Sequence, residues 1–401
     1  MKFSKTRQLI LVAALGLVVA TALTACQIVT IDYVFVASQN TPGQGGYIQT
    51  FSADSETGAL RTNGTVVSSG VGPVAMVVTQ DYQNLYVANS GDDTVVHFAI
   101  GTDGTLTSKD TLTLADAPAS VAVSADGKYL YVVSGTTTAT LSEYPLSSGT
   151  IGSLISQQPL TIPGYGDDAV VPTGVTVLDT GAVVYATAYD QSAYNPGGTT
   201  TSNAHPGWVW SFQIGSGGAL TAGSGSPFQA GVKPVALAAD PTSRFVYVAD
   251  YASNQLVGYS VQSEGNLVFL LNGPFKTGNE PQAVTIDPRG IFMYVANSLD
   301  SSISAYLIDR STGTPSAAVN ATGATGNVSD TQPVALAVDP ALGRFVYTAN
   351  LLGNSVSGFR LDPNTGTVSQ TQATPYPTDK PRPTAIAIVP HGNHAVQVVA
   401  P

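Results

Sequence analysis

Few residues of this chain have the chemistry of catalysis. The 401 residues include four histidines, four glutamates and one cysteine. Hydrolysis of an ester needs a base that activates water and a cation or donor that stabilises the developing oxyanion. Glu280 and His205 are the candidate bases, and Lys233, Lys380 or Arg382 are the candidate cations. The chain shows no nucleophile elbow, phosphate loop or dinucleotide fingerprint in a suitable context.

A metal centre is not expected either. The histidines have no spacing typical of metal ligands, and the pair His391 and His394 is a weak signal in a turn. We therefore predict no cofactor and no bound metal.

Several of these candidates directly precede a recurring proline. Lys233, Glu280 and Arg382 stand before prolines that begin variations of one sequence, which is clearest in residues 234–250 and 333–350. The seven copies lie 45 to 62 residues apart and begin at Pro73, Pro118, Pro172, Pro234, Pro281, Pro333 and Pro383. A period of this size predicts a propeller or solenoid, because one unit cannot bury its apolar faces alone.

Each repeat has the pattern of four short strands. In the unit from Pro281, apolar runs at 283–287, 292–296 and 302–308 are separated by turn sequences rich in Asp, Asn, Pro and Gly, and a weaker polar strand follows. Small apolar residues in the first run suit the innermost strand of a blade. The sequence predicts an all-β fold, a seven-bladed β-propeller of four-stranded antiparallel blades.

The two ends of the chain predict how the propeller closes. The repeat pattern begins in mid-blade at residues 33–38 and finishes with a first-strand copy at 384–389. We expect this C-terminal strand to complete the N-terminal blade and hide both sheet edges. The propeller is thus assigned to residues 33–401, and the pairing of the surplus segment 394–400 is left open.

Residues 1–25 are predicted to be a signal peptide. Three cations precede an apolar run from Leu9 to Leu23, which is too short for a stable membrane span. The sequence from Leu23 to Cys26 resembles the bacterial lipoprotein box, which implies cleavage before Cys26 and lipidation of its sulfur. An ordinary secretory signal with a chance cysteine is the alternative. Residues 26–32 would form the lipidated cysteine and a short tether.

Lipidation at Cys26 predicts an extracytoplasmic protein anchored to the cell envelope through its lipid. Gln27 implies the outer membrane, if the host has one. Removal of residues 1–25 changes the formal net charge from −11 to −14, since it takes away three cations and no anion. Nucleic-acid binding is therefore not expected, and we expect a monomer.

The second strand of each repeat carries a recognisable tetrapeptide. Tyr-Val-Ala-Asn occurs at 86–89 and 294–297, with variants at 131–134, 247–250 and 347–350. It resembles the YVTN repeat, and the chain from about residue 33 to 399 resembles the lactonase (6-phosphogluconolactonase-like) seven-bladed propellers. The resemblance implies this fold and hydrolysis of a sugar lactone. It also implies a histidine directly after a blade-start proline, and none stands there.

If the first strand is innermost, the loops sort onto two rims. Rim one receives the loops between second and third strands and the residues just before each repeat proline. Rim two receives the other loops, whose recurring aspartates, such as Asp240, Asp287 and Asp339, are interpreted as turn-forming residues. Rim one is less uniform among the repeats and is the predicted site, because function tends to be grafted onto irregular loops.

Candidate ligand-binding residues on rim one are Tyr194, Trp208, Asp250, Asn297 and Asn350. Residues 188–206 form the largest insertion and carry Tyr194 and His205. Trp208 is balanced between blade packing and a ligand-stacking role, whereas packing is favoured for Trp210. Scattered rim carboxylates could hold a hard cation, but solvated turns are the preferred interpretation.

Two functions follow. The preferred one is a binding or scaffolding module that presents rim one to a glycan or protein partner, as polar uncharged residues dominate that rim. The alternative is hydrolysis of a small sugar lactone or related cyclic ester, with Glu280 or His205 as base and Lys233, Lys380 or Arg382 as cation.

Overall fold

Seven antiparallel sheets surround a central channel. The computed structural model describes residues 29–41, 43–136, 138–162, 170–191, 207–318 and 326–392. Blade 1 is the sheet built from both ends of the chain, and blades 2 to 7 follow in chain order. Within the described ranges, the helices are the three-residue 3-10 turns Ser216–Gly218 and Ser263–Gly265. None of the helices found there has the length and apolar character to cross a membrane.

The strands repeat in one order from the channel outward. The inner strands of blades 1 to 7 are Pro383–Pro390, Pro73–Val78, Pro118–Val123, Val170–Val177, Pro234–Ala239, Pro281–Ile286 and Pro333–Val338. The second strands are Thr30–Ser38, Asn84–Asn89, Tyr129–Ser134, Val183–Asp190, Phe245–Asp250, Phe292–Asn297 and Phe345–Asn350. The third strands are Gly45–Asp54, Thr94–Ile100, Thr140–Ser147, Gly207–Ile214, Gln255–Val261, Ser302–Ile308 and Ser355–Leu361.

The outer strand differs from the predicted single fourth strand. It is continuous in blade 2 (Leu106–Thr113) and interrupted in the other six blades. Its two segments in blades 1 and 3 to 7 are Leu60–Thr62 and Val67–Val71, Thr150–Ile151 and Ser156–Pro159, Leu220–Ala222 and Phe228–Gln229, Leu267–Phe269 and Phe275–Lys276, Pro315–Ala317 and Gly326–Val328, and Val368–Gln370 and Tyr376–Pro377. In blade 5 the interruption turns Leu270 inward against Gly258, where a Cβ would lie 2.8 Å from the leucine Cδ1.

The inner strands form a closed ring. Each packs beside the inner strands of both neighbouring blades, and blade 7 meets blade 1 in the same way. The predicted seven-bladed propeller with its first strand innermost is therefore confirmed. The loops fall on the two rims as predicted.

The C-terminal strand closes the propeller. Pro383–Pro390 pairs antiparallel with Thr30–Ser38, with Tyr33 opposite Val389 and Phe35 opposite Ala387. The predicted closure is confirmed, although the blade begins at Thr30, three residues before its predicted start. Segment 394–400 lies outside the described residues.

The repeat tyrosine connects neighbouring blades. In five blades its hydroxyl donates to the carbonyl of a glycine in the next blade's turn between third and outer strands: Tyr86 to Gly149 (2.5 Å), Tyr185 to Gly265 (3.2 Å), Tyr247 to Gly313 (2.5 Å), Tyr294 to Gly366 (3.1 Å) and Tyr347 to Gly58 (2.8 Å). Blade 1 has Phe35 at this position, and Thr50, opposite it on the third strand, donates to Gly104 at 3.4 Å. The motif thus binds blade to blade.

The rim-two aspartates form turns, as predicted. Asp240 accepts the backbone N–H groups of Arg244 and Phe245, both at 2.7 Å. Asp287 does the same for the equivalent residues of blade 6 at 2.8 and 2.7 Å. These carboxylates are fully committed to the hairpins that connect inner and second strands.

Candidate functional site

One residue per blade lies directly before the inner-strand proline, at the rim-one mouth of the channel. We call these seven the pre-proline ring; from blade 1 to blade 7 they are Arg382, Gly72, Ala117, Val171, Lys233, Glu280 and Gln332. The four polar members occupy the consecutive blades 5, 6, 7 and 1, and the other three carry no polar group. The mouth therefore has a polar arc with charges in the order positive, negative, neutral and positive.

Three residues of the polar arc have left-handed backbones. The φ angles of Glu280, Gln332 and Arg382 are 54°, 59° and 62°, and Gly72 in blade 2 has 65°. This region costs a residue with a Cβ about 1–2 kcal/mol, whereas glycine adopts it freely. Blade 2 shows that glycine fits the position, so three blades keep side chains there at an energetic cost, which points towards function.

Hydrogen bonds fix these backbones from both sides. The carbonyl of Glu280 accepts the N–H of Ser298 at 2.9 Å, and that of Arg382 accepts the N–H of Gln39 at 3.0 Å. On the other side, the N–H of Glu280 donates to Asn254 Oδ1 of blade 5 at 2.8 Å. The N–H of Arg382 donates to Asn354 Oδ1 of blade 7, also at 2.8 Å. The arc is thus preorganised by the loops of neighbouring blades.

Lys233 and Glu280 form one end of the arc. The Lys233 ammonium lies 4.7 Å from the ring centroid of Tyr251 and 5.5 Å from that of Tyr189. Burial lowers the pKa of Lys233, and the nearby Glu280 carboxylate opposes this shift. Ser298 Oγ donates to Glu280 Oε2 at 3.2 Å. A cation and a carboxylate on neighbouring blades are therefore held at the mouth.

Arg382 forms the other end. Its side chain is half-buried, and within the described part of the chain its buried Nε has no hydrogen-bond partner. Nearby in sequence, the Lys380 ammonium lies 4.6 Å from the ring centroid of Tyr47. A buried guanidinium N–H without an acceptor is energetically costly.

Sequence comparison identifies the family. The family model described as "Lactonase, 7-bladed beta-propeller" matches residues 33–169, 221–329 and 272–396. This chain belongs to the seven-bladed β-propeller lactonase family. Comparison with curated protein sequences finds no match.

Solved structures share the fold of this lactonase-family propeller at low identity. The periplasmic gluconolactonase of Pseudomonas aeruginosa is 17% identical with a TM-score of 0.74, covering 90% of this chain and 99% of its own. A protein of Bacteroides fragilis, provisionally described as a 6-phosphogluconolactonase, is 17% identical with a TM-score of 0.72 and coverages of 90% and 98%. A Desulfotomaculum acetoxidans protein of unknown function is 17% identical with a TM-score of 0.65 and coverages of 89% and 98%.

Three predicted ligand-binding residues are buried behind the rim. Asp250, Asn297 and Asn350 are each 0% exposed. The Asp250 carboxylate accepts the N–H groups of Val232 and Lys233 at 3.0 and 2.8 Å. Asn297 accepts the N–H of Gly278 in the loop before the inner strand and donates to Ser302 and Ser304 of its own blade. Asn350 bonds within its own blade, to Thr348, Ser355 and Ser357. In this lactonase-family propeller they position rim-one loops, and their polar groups are engaged within the chain.

The two tryptophans differ in burial and in hydrogen bonding. Trp210 is buried and its indole N–H donates to the Thr161 carbonyl at 3.2 Å, so the predicted packing role is confirmed. Trp208 is half-buried and packs against the apolar cluster between blades 3 and 4. His205, Tyr194 and Cys26 lie outside the described residues. Among the described residues, no three His, Cys, Asp or Glu side chains are grouped to hold a metal.

Neither Gln332 nor the asymmetry of the ring was predicted from the sequence. Lys233, Glu280 and Arg382 were each placed on rim one, and the structure puts them on one arc. The signal was present in the alignment of the repeats: the position before the proline changes from small residues in blades 2 to 4 to polar residues in blades 5 to 7 and 1.

Proposed function

We propose that this protein is a binding propeller that takes a small polyhydroxylated ligand, a sugar or sugar acid, at the polar arc of rim one. The observation that carries the proposal is the retention of Glu280, Gln332 and Arg382 in left-handed conformations where glycine fits. Backbone strain is often found at functional sites, and three strained side chains at one channel mouth are the basis of this hypothesis.

The chemistry of the arc favours this ligand class. Two cations, an amide and a carboxylate offer donors and acceptors around a small opening, which suits adjacent hydroxyl groups. The tyrosine rings beside Lys233 and Lys380 offer aromatic faces to the C–H surface of a sugar. The Arg382 guanidinium group suits the carboxylate of a sugar acid.

Lactone hydrolysis at the same arc is the second candidate. The observations in its favour are family membership and the juxtaposition of Glu280 with Lys233. Glu280 would activate water as general base, and Lys233 or Arg382 would stabilise the oxyanion that forms on the lactone carbonyl. Ring opening then breaks the acyl C–O bond, the leaving ring oxygen takes the proton from Glu280, and the carboxylate product lies against the same cations. His205 remains a candidate base from the sequence.

Calorimetry with aldonic acids, their lactones and neutral oligosaccharides tests the binding proposal. Arg382→Ala should weaken binding of the acids about 10- to 100-fold, the range expected for a charge-assisted hydrogen bond. Lys128→Ala is the matched control, because Lys128 is an exposed rim-two lysine. Equal affinities of wild type and Arg382→Ala for every ligand would refute the assignment of the arc.

Measuring the rate of lactone hydrolysis, with and without chelator, tests the second candidate function independently of binding. Glu280→Gln should abolish turnover while the protein still binds the acids if Glu280 is the base. Equal rates for wild type and Glu280→Gln would remove this mechanism and leave the binding proposal to its own test.

We also propose that the protein is anchored outside the cytoplasm through lipidated Cys26. The support is the single cysteine, which stands at the end of the predicted signal peptide. Cys26→Ser should release the protein from the membrane fraction or block its processing. Unchanged membrane association of that variant would refute the anchor.

A further inference from the structure

Two buried carboxyl groups, Asp32 and Asp339, lie within interaction range where the propeller closes, and their chain neighbours Ile31 and Ala341 belong to one apolar cluster. Asp32 belongs to the second strand of blade 1 and pairs with Pro390 of the closing strand. Asp339 follows the inner strand of blade 7, the neighbouring blade. Both residues are 0% exposed. The pair therefore lies inside the seam between the last blade and the blade that both chain ends complete.

The two carboxyl groups have very different surroundings. Asp339 Oδ1 accepts the N–H groups of Ala341 and Leu342 at 2.7 and 3.1 Å, and its Oδ2 accepts that of Arg344 at 3.2 Å. Both carboxyl oxygens of Asp32 are buried without a hydrogen-bond donor among the described residues. The backbone thus stabilises a charge on Asp339 and provides nothing equivalent for Asp32.

The charged and titratable groups that face the pair do not neutralise it. The described residues form no salt bridge to either carboxylate. The Arg344 guanidinium lies 5.6 Å from the ring centroid of Phe345. Tyr82 of blade 2 and Tyr347 of blade 7 both have raised pKa values, caused first by burial and then by these two carboxylates. His391, which follows the closing strand, packs edge-on against Tyr33.

Two adjacent buried carboxylates cannot both carry a charge without a large penalty, and the usual solution is one shared proton. Here the acceptor is defined, since Asp339 already receives three N–H donors. Asp32 is then the partner that carries the proton and donates it. Burial, followed by the Asp339 charge, raises the pKa of Asp32 well above its ordinary value.

We propose that Asp32 and Asp339 share one proton in the folded protein and form a pH-sensitive latch across the seam between blades 7 and 1. At low pH the latch is a hydrogen-bonded acid and carboxylate. Loss of the proton places two like charges in the seam and weakens the closure of the propeller.

The direction of the pH effect follows from linkage. The folded protein holds the Asp32 proton more tightly than the unfolded chain, in which aspartate titrates at about pH 3.9. The stabilisation is complete below that value and is lost as pH rises through the raised pKa of folded Asp32. Between these two pKa values, the loss of one proton on unfolding raises the unfolding equilibrium constant by up to about tenfold per pH unit.

The test compares urea unfolding of wild type and Asp32→Asn from about pH 4 to about pH 8. Asparagine has a similar shape and donates to Asp339 without a titratable proton. In a plot of unfolding free energy against pH, the variant should therefore lose the part of the slope that one proton contributes. Glu143→Gln is the comparison variant, because Glu143 is a second buried carboxyl with its own raised pKa; the change in slope caused by Asp32→Asn should be the same in the wild-type and Glu143→Gln backgrounds. Identical slopes for wild type and Asp32→Asn would overturn the latch.

Infrared spectroscopy keeps the proposal falsifiable if Asp32→Asn does not fold. Wild-type protein with isotope-labelled aspartate should show the C=O stretch of a protonated carboxyl at a pH where ordinary aspartates are ionised. Absence of the labelled band just above the ordinary titration range would refute the shared proton. A calcium- or chelator-dependent shift in unfolding that Asp32→Asn abolishes would also refute it, since a cation would then occupy the seam.

Discussion

Replacing Arg382 by glycine should separate folding from binding. The Arg382 φ of 62° lies where a residue with a Cβ is disfavoured by about 1–2 kcal/mol. Glycine removes that strain but adds about 0.5–1 kcal/mol of freedom to the unfolded chain. The described part of the chain shows no hydrogen bond from the buried Nε that would be lost. We therefore expect Arg382→Gly to be neutral or up to about 1 kcal/mol more stable than wild type, while ligand affinity falls.

Urea denaturation of a small set of variants measures the effect. Arg382→Ala keeps the strain, so it should be about 1 kcal/mol less stable than Arg382→Gly. Ala117→Gly is the matched control, because Ala117 occupies the ring in blade 3 without a left-handed backbone. It should lose about 0.5–1 kcal/mol. Glu280→Gly should change the free energy of unfolding in the same direction as Arg382→Gly, but the gain should be smaller because the hydrogen bond from Ser298 is lost.

The comparison with Ala117 decides the interpretation. If Arg382→Gly and Glu280→Gly destabilise the protein as much as Ala117→Gly does, the arc side chains support the fold and the strain argument fails. If the glycine variants are stable and retain full affinity for every ligand, the arc is not the binding site.

Two further predictions concern the contacts between blades. Tyr247→Phe should cost about 1–3 kcal/mol in urea unfolding, because the buried Gly313 carbonyl loses its donor. Tyr131→Phe should cost less, since the Tyr131 hydroxyl makes only a 3.5 Å contact with Glu143; equal losses would contradict this explanation. Burial raises the pKa of Glu143 from 4.5 to about 7. Stability from this group is present below about pH 4.5 and lost as pH rises through about 7, so Glu143→Gln should flatten that part of the profile; an unchanged profile would exclude the effect.

The fold could be predicted because its determinants repeat. A small apolar inner strand, a buried second strand and a turn-forming aspartate recur at one period, and each copy reinforces the interpretation of the others. The strand at 384–389 could be assigned to blade 1 because the repeat pattern begins in mid-blade and lacks a first strand there. The interrupted outer strand was not predicted, since it depends on where Leu270 and its equivalents turn inward, and no short apolar pattern indicates that.

The hydrogen bond of the repeat tyrosine could not be predicted from the sequence, because its partner lies in another blade. Tyr247 and Gly313 are 66 residues apart and belong to different blades. The sequence shows both as conspicuous residues, but only the placement of one blade against the next brings the hydroxyl to the carbonyl. Two blades depart from this pattern: Thr50 makes the contact between blades where Phe35 replaces the tyrosine, and Tyr131 contacts Glu143 of its own blade.

The candidate site was predicted only in part because repeats conceal asymmetry. Lys233, Glu280 and Arg382 could be placed on rim one one by one, since each precedes a repeat proline. Their grouping on consecutive blades follows from the circular order in which blade 7 meets blade 1, so residue 382 becomes a neighbour of residue 332. A ring of seven equivalent positions has no preferred side by symmetry. The polar arc breaks that symmetry, so a ligand bound at the proposed site would meet a mouth with one polar and one apolar side.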